Sequence, residues 1–224
     1  MHYTFQFGVA WQRLPDLWQG ALLTLELGLL TYWGGALLGL GLASLKTYGG
    51  PIGKALANGY VTFFTNTPAL IQIYFIFWGL PDVGIVFSAF NAVLLGLTLN
   101  TGAYLCEIMR AGFLSVRRPE MEAAETLGFS RWQQIWHVIV PHIVKTIYPA
   151  LANYAVVLML GTSMAMIFGV EELSGRAYNV ASENYRHLEM FTLVAGMYIL
   201  LTMFASLLLA LVGRAAFRVK TRVF

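Results

Sequence analysis

Glu122-Ala123-Ala124-Glu125-Thr126-Leu127-Gly128, running on to Ile139-Val140-Pro141, is a polar island in a 224-residue chain otherwise dominated by apolar residues. Its side chains are suited to holding a partner rather than to making or breaking bonds. His137 and His142 come nearest to a metal pair. They are five apart and flank Pro141, which disrupts the single helix face that two imidazoles would share, and no neighbouring carboxylate or thiolate joins them in the sequence. Cys106 is the one cysteine, which rules out a disulfide framework and a thiolate metal site. No Gly-x-Ser-x-Gly, His-Glu-x-x-His or glycine-rich phosphate loop with Lys-Ser/Thr is present. The sequence therefore offers no catalytic residue and no metal ligand, and any ATP used must bind another chain.

The island reads as helix, glycine turn, helix. Pro119 suits a first helical turn, and Glu120 and Glu122 favour the positive end of the helix dipole. Gly128 fits a left-handed cap, and Ser130 with Gln133 forms a capping box that opens a second helix. Met121, Ala124 and Leu127 give the first helix a small apolar stripe. A helix this short is marginal alone, so a docking partner would explain it. A DNA-binding helix-turn-helix has similar outlines, but here the first helix is acidic and lies between apolar spans, which excludes nucleic acid as the partner.

The surrounding elements belong in a membrane. Hydrophobic residues make up 58% and charged residues 11%, against about 45–50% and about 25% in soluble domains. Charge-free runs occupy Leu27–Leu45, Ala55–Pro81, Val83–Cys106, Thr146–Val170 and Met190–Gly213, each longer than the ~18 residues a spanning helix needs. Backbone groups in lipid must be satisfied internally, so the runs should be helices. The expectation is an all-α polytopic protein with five transmembrane helices, at about 20–45, 55–81, 83–109, 143–170 and 190–213. An outer segment, 1–19, precedes them, the polar loop spans about 113–141 between the third and fourth spans, and a tail at 214–224 follows. All 224 residues then form one transmembrane domain.

Lys46, Lys54, Arg110, Arg117, Arg118, Arg131, Lys145, Arg214, Arg218, Lys220 and Arg222 fall in one set of alternate loops, and only Arg13, Arg176 and Arg186 in the other. The positive-inside rule then puts the N-terminus outside and the C-terminus and polar loop in the cytoplasm. Arg214–Arg222 reads as an anchor on anionic membrane lipid. No cleavable signal peptide is expected, the first span acting as its own insertion signal.

Several spans carry side chains that apolar helices do not need. Thr65, Asn66, Thr67 and Gln72 surround Pro68, which removes one helical hydrogen bond. Two readings stay open, a proline kink patched locally and a polar surface along a transport path. Asn100 and Thr101 lie in the third span, whose inner end offers a Glu107–Arg110 pair three residues apart. Gly35 and Gly39 would let helix backbones approach closely. Glu26 is the acidic residue expected to be embedded.

At this point the residues carry a resemblance. Glu122-Ala123-Ala124, Gly128 and Ile139-x-Pro141 are similar to the EAA loop of type I ATP-binding-cassette importer permeases. Asn66-Thr67-Pro68-Ala69-Leu70-Ile71-Gln72, Tyr104-x-x-Glu107-Ile108-x-Arg110-x-Gly112, Thr162-Ser163 and Gly169-Val170-x-Glu172-Leu173 resemble the polar amino acid branch, of histidine, glutamine or arginine type. The resemblance covers Gly20 to the C-terminus. It departs at Thr65-Asn66, where that branch has Arg-Gly, and at Leu160-Gly161, where it often has Lys-Asp, which leaves the substrate open and fits one half of an unlike pair.

The resemblance implies a permease subunit in the bacterial inner membrane that translocates polar amino acids. It would pair with a second permease, sit over two cytoplasmic ATPase subunits carrying ATP and Mg, and receive substrate from an external binding protein. Glu122, Ala123, Ala124, Gly128 and Pro141 would couple it to the ATPase. Asn66, Thr67, Gln72, Asn100 and Ser163 are the path-lining candidates, since polar groups near mid-membrane are costly and default to function. The alternative is an ATP-independent secondary transporter or channel subunit, which predicts inverted repeats and a buried coupling carboxylate. No internal repeat is evident in the sequence.

Overall fold

In the computed structural model, which describes residues 4–217, every regular element is helical. Helix α1 (Phe7–Gln12) leads into α2 (Leu14–Tyr48), and α3 (Pro51–Thr65) follows a tight turn. Then come α4 (Ala69–Tyr74), α5 (Ala89–Ser115), α6 (Arg118–Thr126), α7 (Arg131–Gln134), α8 (Val140–Gly161), α9 (Leu173–Asn184) and α10 (His187–Phe217). Four stretches are long and apolar enough to cross a membrane: Leu14–Tyr48, Ala89–Ser115, Arg131–Phe168 and His187–Phe217. Pro51–Thr65 with Ala69–Val83 makes a fifth if the pair is counted as one broken span. The basic tail expected to anchor on lipid lies mostly outside the described residues.

Proline explains the irregular backbone. At Pro68 the expected kink is a break, with the two helices bent by 100°. Residues before proline avoid the helical region, so α3 stops at Asn66 and α4 restarts from Pro68, itself extended (φ −61°, ψ 134°). Two wide π turns, Phe75–Gly79 and Ile135–Ile139, stand in the same register ahead of a proline. In each, an N–H reaches back five residues, Leu80 to Phe75 and Val140 to Ile135, one position before Pro81 or Pro141. Proline lacks an N–H and crowds the carbonyl four residues earlier, and the wider turn relieves both. Because of it, the helix opened at Arg131 continues past Pro141 instead of ending there.

The chain divides into two compact units. One comprises the residues up to Trp33, Thr67–Thr98 and Val156–Ala205. Its first cluster joins Ala10, Leu17 and Ala21 to Leu173, Ala177 and Val180 of α9 and to Met190 and Val194 of α10. A second joins Leu27, Ile73, Val93, Leu97 and Phe168. Fully buried Glu172 links three helices of this unit, accepting hydrogen bonds from Thr24 Oγ1 (3.3 Å), Ser174 N (3.0 Å), Gly175 N (2.9 Å) and Tyr198 OH (2.8 Å).

The other unit comprises Gly34–Asn66, Leu99–Ala155 and the residues from Ser206 onward. Here the close approach expected at Gly35 and Gly39 is made. A Cβ on Gly39 would lie 2.9 Å from Cys106 N and 3.0 Å from Gly102 O, and one on Gly35 would strike the Thr101 side chain. Ala43, Val61 and Cys106 form the buried cluster of this unit. Tyr148 donates to Leu209 O at 2.6 Å, tying α8 to α10.

Candidate coupling loop and polar span residues

Helix α6 starts from extended Arg117 with Pro119 in its first turn, and Glu120 stands at the dipole's positive end. It ends in a Schellman motif. Gly128 N donates to Glu125 O (2.9 Å) and Phe129 N to Ala124 O (3.1 Å), with Gly128 at φ 75°. Glycine adopts that backbone freely, and among other residues Asn tolerates it best. The capping box forms as well: Gln133 N donates to Ser130 Oγ (3.4 Å) and Ser130 N to Gln133 Oε1 (2.8 Å). Gln134, buried, donates to Phe129 O at 3.1 Å and pins the turn against the following helix.

This segment places Glu122, Ala123, Ala124 and Gly128 within a single helix and its cap, while Pro141 lies in α8. Glu122 and Ala123 are exposed and Ala124 is 3% exposed, its face turned into the unit. Leu127 leaves the expected apolar stripe. It sits at the C-cap (φ −77°, ψ 2°), off the helical path, and is 74% exposed. Trp132 and Trp136, with ring centres 5.7 Å apart, are also exposed and were not singled out by sequence spacing. The exposed chemistry is thus acidic and apolar together.

Fold brings a carboxylate to His142 that the local sequence lacks: Glu120 Oε2 lies 3.3 Å from Nδ1, fastening α6 to α8. His137 Nδ1 faces Gln133 O at 3.1 Å. Among the described residues no three His, Cys, Asp or Glu side chains gather to hold a metal.

The polar span residues serve the broken helix. In one unit, Asn66 Nδ2 donates to Thr62 O (2.8 Å) and buried Asn100 Nδ2 to Phe64 O (3.1 Å). Both lie in the last turn of α3; Thr62 O also accepts from Asn66 N at 3.2 Å, whereas Phe64 O is the carbonyl that Pro68, lacking an N–H, leaves without its helical donor. Tyr60 OH adds a bond to Leu99 O at 2.8 Å. In the other unit, buried Gln72 donates from Nε2 to Thr67 Oγ1 (2.7 Å) and Thr67 O (3.0 Å), satisfying the stretch opened by Pro68. Ser163 donates to Leu160 O at 2.8 Å. Asn66 and Asn100 therefore meet at the end of α3, and Thr67 and Gln72 pair with each other.

Several helices are long and apolar enough to cross a membrane, and comparison with known proteins defines the class. Residues 35–218 match the model of the binding-protein-dependent transport system inner membrane component, and the chain belongs to that family. It is 32% identical to the glutamine transport system permease protein GlnP of Escherichia coli, over 92% of this chain and 94% of that one. It is 36% identical to the probable amino-acid ABC transporter permease protein PatM of Vibrio harveyi, over 66% and 68%. A crystal structure of an amino acid ABC transporter with histidines superposes with a TM-score of 0.88 at 32% identity, covering 95% of this chain and 100% of that one. The expected family and fold class hold.

Proposed function

We infer that the chain is the permease subunit of an ATP-driven importer of polar amino acids, in a bacterial inner membrane with its N-terminus outside and its C-terminus in the cytoplasm. The observation that carries this reading is the near-complete correspondence, at 32% identity, with both an amino acid transporter structure and a glutamine permease. It works as one of two permeases, alike or unlike, over two ATPase subunits that hold ATP and Mg, and takes substrate from an external binding protein. The loop Glu122, Ala123, Ala124, Gly128, with Pro141 behind it, seats in the ATPase. Exposure of Glu122 and Leu127 beside an internally capped turn supports this, because the loop keeps its shape while presenting a contact surface. Asn66, Thr67, Gln72, Asn100 and Ser163 are the proposed path residues, supported by the cost of polar groups inside a membrane.

Two variants in the reconstituted complex test the coupling. Glu122→Lys should leave the permease folded and assembled but cut substrate-stimulated ATP hydrolysis and uptake together. A Cβ on Gly128 meets no atom within 4 Å, so the cost of Gly128→Val, roughly 1–2 kcal/mol, comes from the left-handed backbone, and it should weaken ATPase co-purification. Gly128→Asn, which tolerates that backbone, should retain it. Normal stimulated hydrolysis and uptake in both Glu122→Lys and Gly128→Val would remove the loop from the coupling path.

A further inference from the structure

Within one unit, the C-terminal end of α2 meets the inner part of α5 in a charge cluster that the proposed import function does not use. Glu107 receives Lys46 Nζ at 2.5 Å and Arg110 through Nε at 3.0 Å and Nη2 at 2.9 Å. One carboxylate thus faces two cationic side chains, leaving a net single positive charge, partly shielded: the Lys46 side chain is 19% exposed and that of Arg110 34%. A pocket of about 220 Å³ opens beside it, lined by Lys46, Thr47, Asn58, Arg110 and Leu114. No acidic residue lines it. Thr47 Oγ1 is closed off from solvent, so the polar groups the pocket presents are those of Lys46, Arg110 and Asn58. The neighbouring chain is apolar and outward-facing: Tyr48, Ile52, Leu56 and Leu114 are all well exposed.

We propose that this pocket binds the phosphodiester of an anionic phospholipid headgroup. A phosphodiester carries one negative charge and several acceptor oxygens. The pocket offers one excess positive charge, a planar guanidinium suited to paired acceptors, an ammonium and an amide. Acyl chains then cover the apolar surface at Tyr48, Ile52, Leu56 and Leu114, which a soluble phosphate would leave bare. Basic pockets between spanning helices at the cytoplasmic face suit such headgroups. The inference rests on the membrane placement proposed above and not on the substrate or coupling role, so it is tested without transport.

The test uses the assembled transporter in nanodiscs of mixed phosphatidylglycerol and phosphatidylcholine, followed by native mass spectrometry of retained lipid. The unaltered protein should retain phosphatidylglycerol preferentially, and Asn58→Asp should cut that preference by about fivefold. Asn58 is exposed, so this change leaves the fold intact even if Lys46→Met does not. Equal retention of the two lipids, or an unchanged preference in Asn58→Asp, overturns the proposal. Displacement of phosphatidylglycerol by millimolar inorganic phosphate would identify a soluble-phosphate site and overturn it equally.

Discussion

Glu172 holds a carboxyl group out of contact with solvent while accepting from two backbone amides and two hydroxyls, so its charge and its position are coupled. Burial, the dominant influence, raises its pKa, against the pull of hydrogen bonds from Ser174, Tyr198, Gly175 and Thr24. An unfolded glutamate ionises at about 4.3. Between that value and the raised one, the folded protein keeps a proton that the unfolded chain has lost. Stability is therefore greatest below this window and falls as pH rises through it. Thermal unfolding of the purified complex should show that decline, and Glu172→Gln, which cannot ionise, should flatten it. Glu172→Ala leaves the Ser174 and Gly175 amides at the start of α9 without their acceptor and should cost about 1–3 kcal/mol below that window. A pH slope unchanged in Glu172→Gln would assign the decline to another group. Glu26, the acidic residue that sequence pattern places in the membrane, stands on the surface of α2, a position open to lipid as much as to water. Charge spacing reports distance along the chain, whereas the partners of Glu172 come from 148 residues upstream and 26 downstream.

Among the elements, local chemistry was readable wherever it acts over a few residues. Gly128, Ser130 and Gln133 make the cap and capping box their types announce, because both motifs close within one turn. Pro68 carries the kink reading, one of the two the sequence leaves open, whereas the 100° of the break has no local signal. The π turns before Pro81 and Pro141 left no sequence signal beyond the prolines themselves. Glycine spacing in α2 did carry information across helices. Gly39→Ala would drive a methyl into the backbone of α5 at Cys106 and Gly102, which can yield little. It should cost about 1–3 kcal/mol by thermal unfolding in detergent. Gly41 has nothing within 4 Å, so Gly41→Ala should leave stability level or raise it by up to about 1 kcal/mol. Equal effects at both positions would mean that helix propensity, not the α2–α5 approach, sets the outcome.

For the whole molecule, membrane embedding is the physical fact to which the other features answer. Leu37, Phe75, Leu200 and Phe204 are exposed large apolar side chains on spanning helices, an arrangement stable against lipid and costly in water. The basic residues supply the proposed direction, because Lys and Arg resist transfer across the membrane. Orientation can be measured with single cysteines in a Cys106→Ser background, Cys106 itself being buried. Asp82 and Ser182 are exposed at turns assigned to the outside, and Glu125 is exposed on the loop assigned to the cytoplasm. Asp82→Cys and Ser182→Cys should react with a membrane-impermeant maleimide in intact cells. Glu125→Cys should react only after the membrane is opened. The loop reaches an ATPase only from the cytoplasmic side, so labelling of Glu125→Cys in sealed cells would defeat the orientation and the coupling role at once, while leaving the helical fold and its internal hydrogen bonds untouched.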